Sequence, residues 1–148
     1  MPSEQTTLLF HLSTPGLARR PLLTYARQLE TKVTRGRPFT CLITDDAELR
    51  RLNRDFRQQD HATDVLSFPS GKPLGFLGDI AISFDHARQQ AAGHGHTVAR
   101  EIEILMLHGV LHLLGMDHEN DGGQMARAEN KWRAALGLPH GLIARVSL

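Results

Sequence analysis

Two histidines four residues apart, His108 and His112, stand in the segment LHGVLHLLGMDHEND, and a glycine, Gly115, and a third histidine, His118, follow them. On a helix, residues at i and i+4 project from the same face one turn apart, so both imidazoles reach one ion with little rearrangement. Gly115 lets the backbone turn sharply, and His118 then swings back to supply a third nitrogen. Three neutral imidazoles leave one tetrahedral position of a Zn²⁺ ion open for water, whose pKa such a site lowers to about 7. A lone histidine on an apolar helix is more often a hydrogen-bonded core residue than a ligand. The joint pattern of pair, turn glycine and third histidine nevertheless favours metal. One zinc ion is the expected cofactor, although Ni²⁺ or Cu²⁺ would bind the same nitrogens.

The remaining candidates carry weaker signals. His94 and His96 fall at an expected helix end among small and polar residues, where an exposed capping role is expected. His11, His61, His86 and His140 are isolated in sequence and read as structural or surface residues. Asp117 either orients a ligand imidazole or satisfies backbone donors in the turn after Gly115, with the turn role preferred. Glu101 lies two turns before His108 on roughly the same side, but the helix dipole also accounts for a first-turn glutamate. Arg50, Arg54 and Arg57 form a basic stripe at i, i+4 and i+7; Arg50 and Arg54 read equally as a phosphate track or a solvated face, and Arg57 on its own reads as a surface arginine.

Elements that would position these groups alternate along the chain. Thr7 to Leu12 reads as a strand, and Ser13-Thr14-Pro15 as the start of a helix carrying Leu22, Tyr25, Leu29 and Val33. Phe39 to Thr44 is a second strand. Asp45 and Glu48 form a capping box for a helix with Leu49, Leu52 and Phe56 on its core face, ending near Arg57. Val65 to Phe68 and Phe76 to Phe84 flank the turn PSGKPLG as a hairpin-like pair, after which Asp85 caps another helix. From Thr97 a helix apolar almost all round between Ile102 and Leu114 suits the centre of the domain. A final amphipathic helix spans Asp121 to Leu136. The expected fold is α+β: a single domain over 1–148, a mixed sheet of about four strands, flanking helices and a buried metal-bearing helix.

Composition narrows the class. At 148 residues and 41% hydrophobic, the chain suits one domain with one core. It has no run of ~18 apolar residues and no signal-peptide pattern, so a cytoplasmic protein without membrane association is expected. A net charge of +1 neither requires nor excludes a polyanionic partner. The single cysteine, Cys41, sits in an apolar run and reads as a buried hydrophobe.

The spacing H-x3-H-x5-H with a glycine before the third histidine also occurs in metzincin proteases, but Gly109 stands where their glutamate base follows the first histidine. A closer match lies elsewhere. HGVLHLLGMDH resembles the H-G-x-L-H-L-x-G-x-D-H signature of the YbeY family, bacterial zinc-binding endoribonucleases of ribosomal RNA maturation. FRQQDHATDVLSFP resembles that family's R-x-x-D-x-P-T-[DN]-V-L-S-F-P segment, and LGDIAIS its L-G-D-[IV] strand, in the expected order. The likeness covers Leu52 to Asp121; outside it only the pattern of elements matches. Ala62 stands where the family usually has proline, a change that loosens the turn without touching the chemistry.

The resemblance implies zinc ligands at His108, His112 and His118, and an Arg57 that faces the metal cleft. It implies a single-strand-specific endoribonuclease acting in small-subunit ribosomal RNA 3′-end processing and ribosome quality control. Ribosomal RNA and small-subunit components, rather than DNA, would be its partners. A zinc-bound hydroxide or a 2′-hydroxyl could attack the phosphodiester, and the sequence does not choose between them. Arg57, a permanent planar cation, suits substrate-phosphate binding and transition-state stabilisation. Two other classes stay open: a peptidase-like metallohydrolase of another substrate, and a non-catalytic ribosome-assembly factor with structural zinc.

Overall fold

The run FTCLIT has the β-branched and aromatic content of a strand buried on both faces. It forms β2 (Phe39–Thr44), in which Phe39, Cys41 and Ile43 are wholly buried. In this computed structural model, which describes residues 5–117 and 121–139, β2 is central to a four-stranded sheet. It pairs in parallel with β1 (Thr7–Phe10) and β4 (Gly78–Ser83), while β3 (Val65–Pro69) joins β4 antiparallel in the order β1-β2-β4-β3. The expected hairpin and mixed sheet are both present. Burial pushes the Cys41 thiol far up, so it is inert, as its setting predicts.

Five helices flank the sheet: α1 (Arg19–Lys32), α2 (Asp46–Arg57), α3 (Phe84–His94), α4 (Val98–Leu113) and α5 (Gln124–Leu136). α4 is capped by Thr97, whose side chain accepts from the Arg100 N–H, and packs against β3, β4, α1, α3 and α5. Nearly every side chain from Glu101 to Leu111 is buried, and each large apolar one contributes about 1.5–3 kcal/mol. Gly109 makes this fit possible, because a Cβ there would lie 3.0 Å from Ile80 Cγ2 and 3.2 Å from Ser67 Oγ. Side chains alternate along β3 and β4, so Leu66 and Ala81 face the other side and pack with Leu49 of α2.

Three local expectations are corrected. α1 starts at Arg19, with Ala18 at its N-cap, rather than at Ser13-Thr14-Pro15. Thr14 instead closes a turn, its carbonyl accepting from Leu17 N–H and its hydroxyl from Arg19, and Pro21 is tolerated in the first helical turn, where no intrahelical donor is needed. α3 is capped by Ser83, whose hydroxyl accepts from His86 N–H; the Asp85 carboxylate accepts from Asp46 N–H in α2 instead. Phe56, placed on the core face of α2, is 66% exposed, because it lies beyond the sheet-covered Leu49 and Leu52, where it meets the Phe68 ring edge-on.

Candidate metal centre and its cleft

His108 and His112 lie in the last two turns of α4, where the negative end of the helix dipole favours a cation. Their Nε2 atoms face each other 3.1 Å apart. His112 Nδ1 is 2.9 Å from the Met116 carbonyl, which only accepts, so this nitrogen carries the proton and donates it. His108 Nδ1 is 2.8 Å from Glu129 Oε2, and donates to that carboxylate in the same way. Both Nε2 lone pairs therefore converge on one point. That contact is repulsive unless a metal ion or a proton lies between them. Two ligands ~2.0–2.1 Å from one tetrahedral ion are about 3.3 Å apart, close to the separation here. The donor set thus fits a divalent ion with affinity for imidazole.

The turn that holds His112 follows from the sequence. Gly115 has φ +92°, and Met116 N–H bonds Leu111 O while Gly115 N–H bonds His112 O, the Schellman pattern that ends a helix at a left-handed residue. It brings the Met116 carbonyl back under the His112 ring. His118, the expected third ligand, lies outside the described residues, as does His140. Among the described residues no group of three or more histidine, cysteine or acidic side chains is arranged to hold a metal.

The two histidines open onto a cleft of about 710 Å³. Its walls include Arg57 at the end of α2, His61, Asp64, Ser67 of β3, and Asp117. β3 is the sheet edge here, tied to α4 by the Ser67 hydroxyl donating to Gly109 O at 2.9 Å. The segment between α2 and β3 is fixed by the buried Asn53, whose amide donates to His61 O at 3.0 Å. Asp64 accepts from Val65 N–H at 2.8 Å and from Gln90 at 3.2 Å, so it holds the base of the same wall.

The basic stripe on α2 divides. Arg50 bonds Asp60 at 2.8 and 3.2 Å, and Arg54 bonds Asp55 at 3.1 Å, so both are neutralised locally. Arg57 lines the cleft and has no carboxylate partner among the described residues. The exposed His61, expected to be structural or on the surface, lines the same cleft. Glu101 does not line it. Wholly buried, it meets His96 Nε2 at 2.6 Å, so His96 is anchored rather than an exposed cap. Sequence reasoning missed Glu129. Its signal was a carboxylate four residues after Met125, on the face of α5 that turns to the core.

A model of the family described as Endoribonuclease YbeY matches residues 18–137. The chain belongs to the YbeY endoribonuclease family. It is 64% identical over 133 residues to the Endoribonuclease YbeY of Solibacter usitatus, covering 89% of each chain. With the Endoribonuclease YbeY of Nautilia profundicola it shares 50% over 105 residues, covering 70% of this chain and 76% of that one. The fold is similar to a solution structure of a Thermotoga maritima protein, with TM-score 0.60 and 25% identity over 86% of each chain. Among the described residues, no helix is long and apolar enough to cross a membrane.

Proposed function

We propose that this chain is a zinc-dependent, single-strand-specific endoribonuclease, acting in the cytoplasm on ribosomal RNA at the 3′ end of the small-subunit RNA and in ribosome quality control. Family membership supports endoribonuclease activity. The observation that carries the chemistry is one cleft lined by two converging imidazoles and an arginine without a carboxylate partner among the described residues. His108 and His112, with His118, would hold the ion. When bound, zinc supplies Lewis-acid stabilisation of phosphoryl charge and lowers the pKa of water.

The protein's own groups perform the rest. Arg57 binds a non-bridging phosphate oxygen through paired N–H donors and stabilises charge as it grows in the transition state. Glu129 and the Met116 carbonyl hold the two imidazoles in the tautomer that leaves Nε2 available. Asn53 and Asp64 keep the wall carrying His61 in place. At about 710 Å³ the cleft is the size of sites that enclose a drug-sized molecule, which is room for an unpaired nucleotide.

The test compares metal-quantified wild type, His112→Ala and Arg57→Ala on single-stranded ribosomal RNA, paired RNA and a peptide. Loss of RNA cleavage in both variants, with zinc retained by Arg57→Ala and the peptide intact, supports the reading. Residual cleavage unchanged in both overturns it and favours an assembly factor with structural zinc. Cleavage of a strand bearing a 2′-deoxyribose at the scissile position would exclude 2′-hydroxyl attack.

A further inference from the structure

The arginines of α2, α3 and α4 are mostly matched by acids: Arg50 with Asp60, Arg51 with Glu48, Arg88 with Asp85, Arg100 with Glu103. A second group of cations is not. Lys32 ends α1, Arg35 and Arg37 follow it, and Lys72 lies in the loop joining β3 to β4. None of the four has a carboxylate partner among the described residues. The helix dipole accounts for a lysine in the last turn of α1, but not for a lysine brought there from another loop.

That loop is held in place. Arg37 donates to Lys72 O at 2.7 Å and to Gly75 O at 3.0 Å, which sets the β3–β4 loop against the chain that leaves α1. Ser70 closes the loop from inside, donating to Phe76 O at 2.7 Å and accepting from Lys72 N–H at 3.1 Å. The same loop follows Pro69, the last residue of β3, which lines the cleft. A fixed backbone thus runs from the cleft wall to the cations. The neighbouring acids do not neutralise them. Glu30 accepts from Thr6 N–H and hydroxyl at 2.8 and 2.7 Å, and the exposed Asp79 forms no ion pair with any of the four among the described residues. The Asp79 carboxyl is pushed up by partial desolvation, with no cation pulling it down.

We infer that the end of α1 and the β3–β4 loop form a cationic cradle, built from Lys32, Arg35, Arg37 and Lys72, for the phosphodiester backbone of the RNA strand that leaves the cleft past Pro69. The inference rests on the endoribonuclease reading and deepens it, since it assigns substrate contacts away from the reacting phosphate. Flexible or planar cations tracking a single strand bind phosphate without reading sequence.

The test is a triple variant, Lys32→Gln/Arg35→Gln/Lys72→Gln, with Arg37 kept because it fixes the loop. Zinc content and melting temperature confirm that it folds. Two single-stranded oligoribonucleotides serve as probes, one short enough to occupy only the cleft and one extending well past it, with binding measured between 50 and 200 mM salt. Each single-strand phosphate contact contributes about 0.7 to the log–log salt slope, so the variant should lose roughly 2 on the long probe and on the order of 50-fold in affinity at 0.15 M salt. Binding and cleavage of the short probe should not change. An unaltered slope on the long probe, or equal losses on both probes, overturns the cradle. Wild type that neither binds nor cleaves either probe overturns the endoribonuclease reading, and the cradle with it.

Discussion

Removing the carboxylate behind His108 should weaken zinc binding without touching a ligand. Glu129 is 2% exposed and its Oε2 lies 2.8 Å from His108 Nδ1, so the bond is buried and charge-assisted. Losing such a partner typically costs 10–100-fold in metal affinity, or about 1.4–2.7 kcal/mol at 1.4 kcal/mol per decade. Glu129→Gln keeps the size and a carbonyl acceptor but loses the charge, so it should fall near tenfold. Glu129→Ala leaves the buried His108 N–H without this acceptor and should approach 100-fold, together with about 1–3 kcal/mol of fold stability. Competition against a chromophoric chelator measures the first effect, and melting in excess chelator isolates the second. A zinc ion that binds only the folded protein would stabilise it by RT ln(1 + [Zn]/Kd), so any zinc-induced rise in stability should shrink by the same energy. Two variants that compete for zinc as well as wild type would refute the claim that Glu129 holds the His108 tautomer.

Other consequences are sharper in direction than in size. Arg57→Ala should lower kcat by about 10²–10³, the effect of losing one transition-state donor, with melting temperature and zinc content at wild-type levels. Gly109→Ala would drive a methyl against Ile80 and Ser67, so chemical denaturation should show a loss of about 1–3 kcal/mol, and a neutral result would mean that α4 shifts freely on the sheet. Partial desolvation raises the Asp79 carboxyl above its ordinary value of 3.8, so its ionised form disfavours folding once pH exceeds that value. Asp79→Asn should therefore melt higher than wild type at pH 7, with the gain shrinking as pH falls towards and below 3.8; an equal gain at all pH values would exclude desolvation as the cause.

Much of this fold was legible because its signals are local. Asp45 caps α2 by accepting from Glu48 N–H three residues on, and Thr97 does the same for α4 through Arg100 N–H, both within a single turn of chain. The apolar run from Ile102 to Leu114 suited a central helix, and Gly115 suited its C-terminal turn. Apart from the start of α1, the misreadings share a different cause, which is partnership across the chain. His96 is explained by a glutamate in the next helix, and Ser83 displaced Asp85 as cap because Asp85 is drawn to Asp46 of α2. Phe56 has the periodicity of a core residue, but the sheet stops short of it. The facing pair His108 and His112 was visible as i, i+4; the contact of His108 with Glu129 was not, since nothing in the local sequence ties α5 to α4.

The placement of the cleft has an electrostatic consequence of its own. α2 ends at Arg57 and α4 ends just beyond His112, so two helix C-termini, each worth roughly half a negative charge, border one site. The lining also includes the carboxylates of Asp64 and Asp117. Arg57, the only arginine or lysine among the described lining residues, leaves the sum negative, which is unfavourable for a polyanion. A divalent ion on His108 and His112 would offset that sum and put positive charge beside the position the phosphate takes. Metal should thus govern binding as well as turnover. With zinc removed by a chelator, affinity for a short single-stranded RNA should drop at least tenfold, about 1.4 kcal/mol, and more at low salt than at high salt because the opposing field is screened. Fluorescence anisotropy on metal-free and zinc-loaded protein measures this directly. If the metal-free protein holds the short RNA as tightly as the loaded one at low salt, the field of the cleft does not oppose phosphate and the electrostatic role given to the metal is wrong.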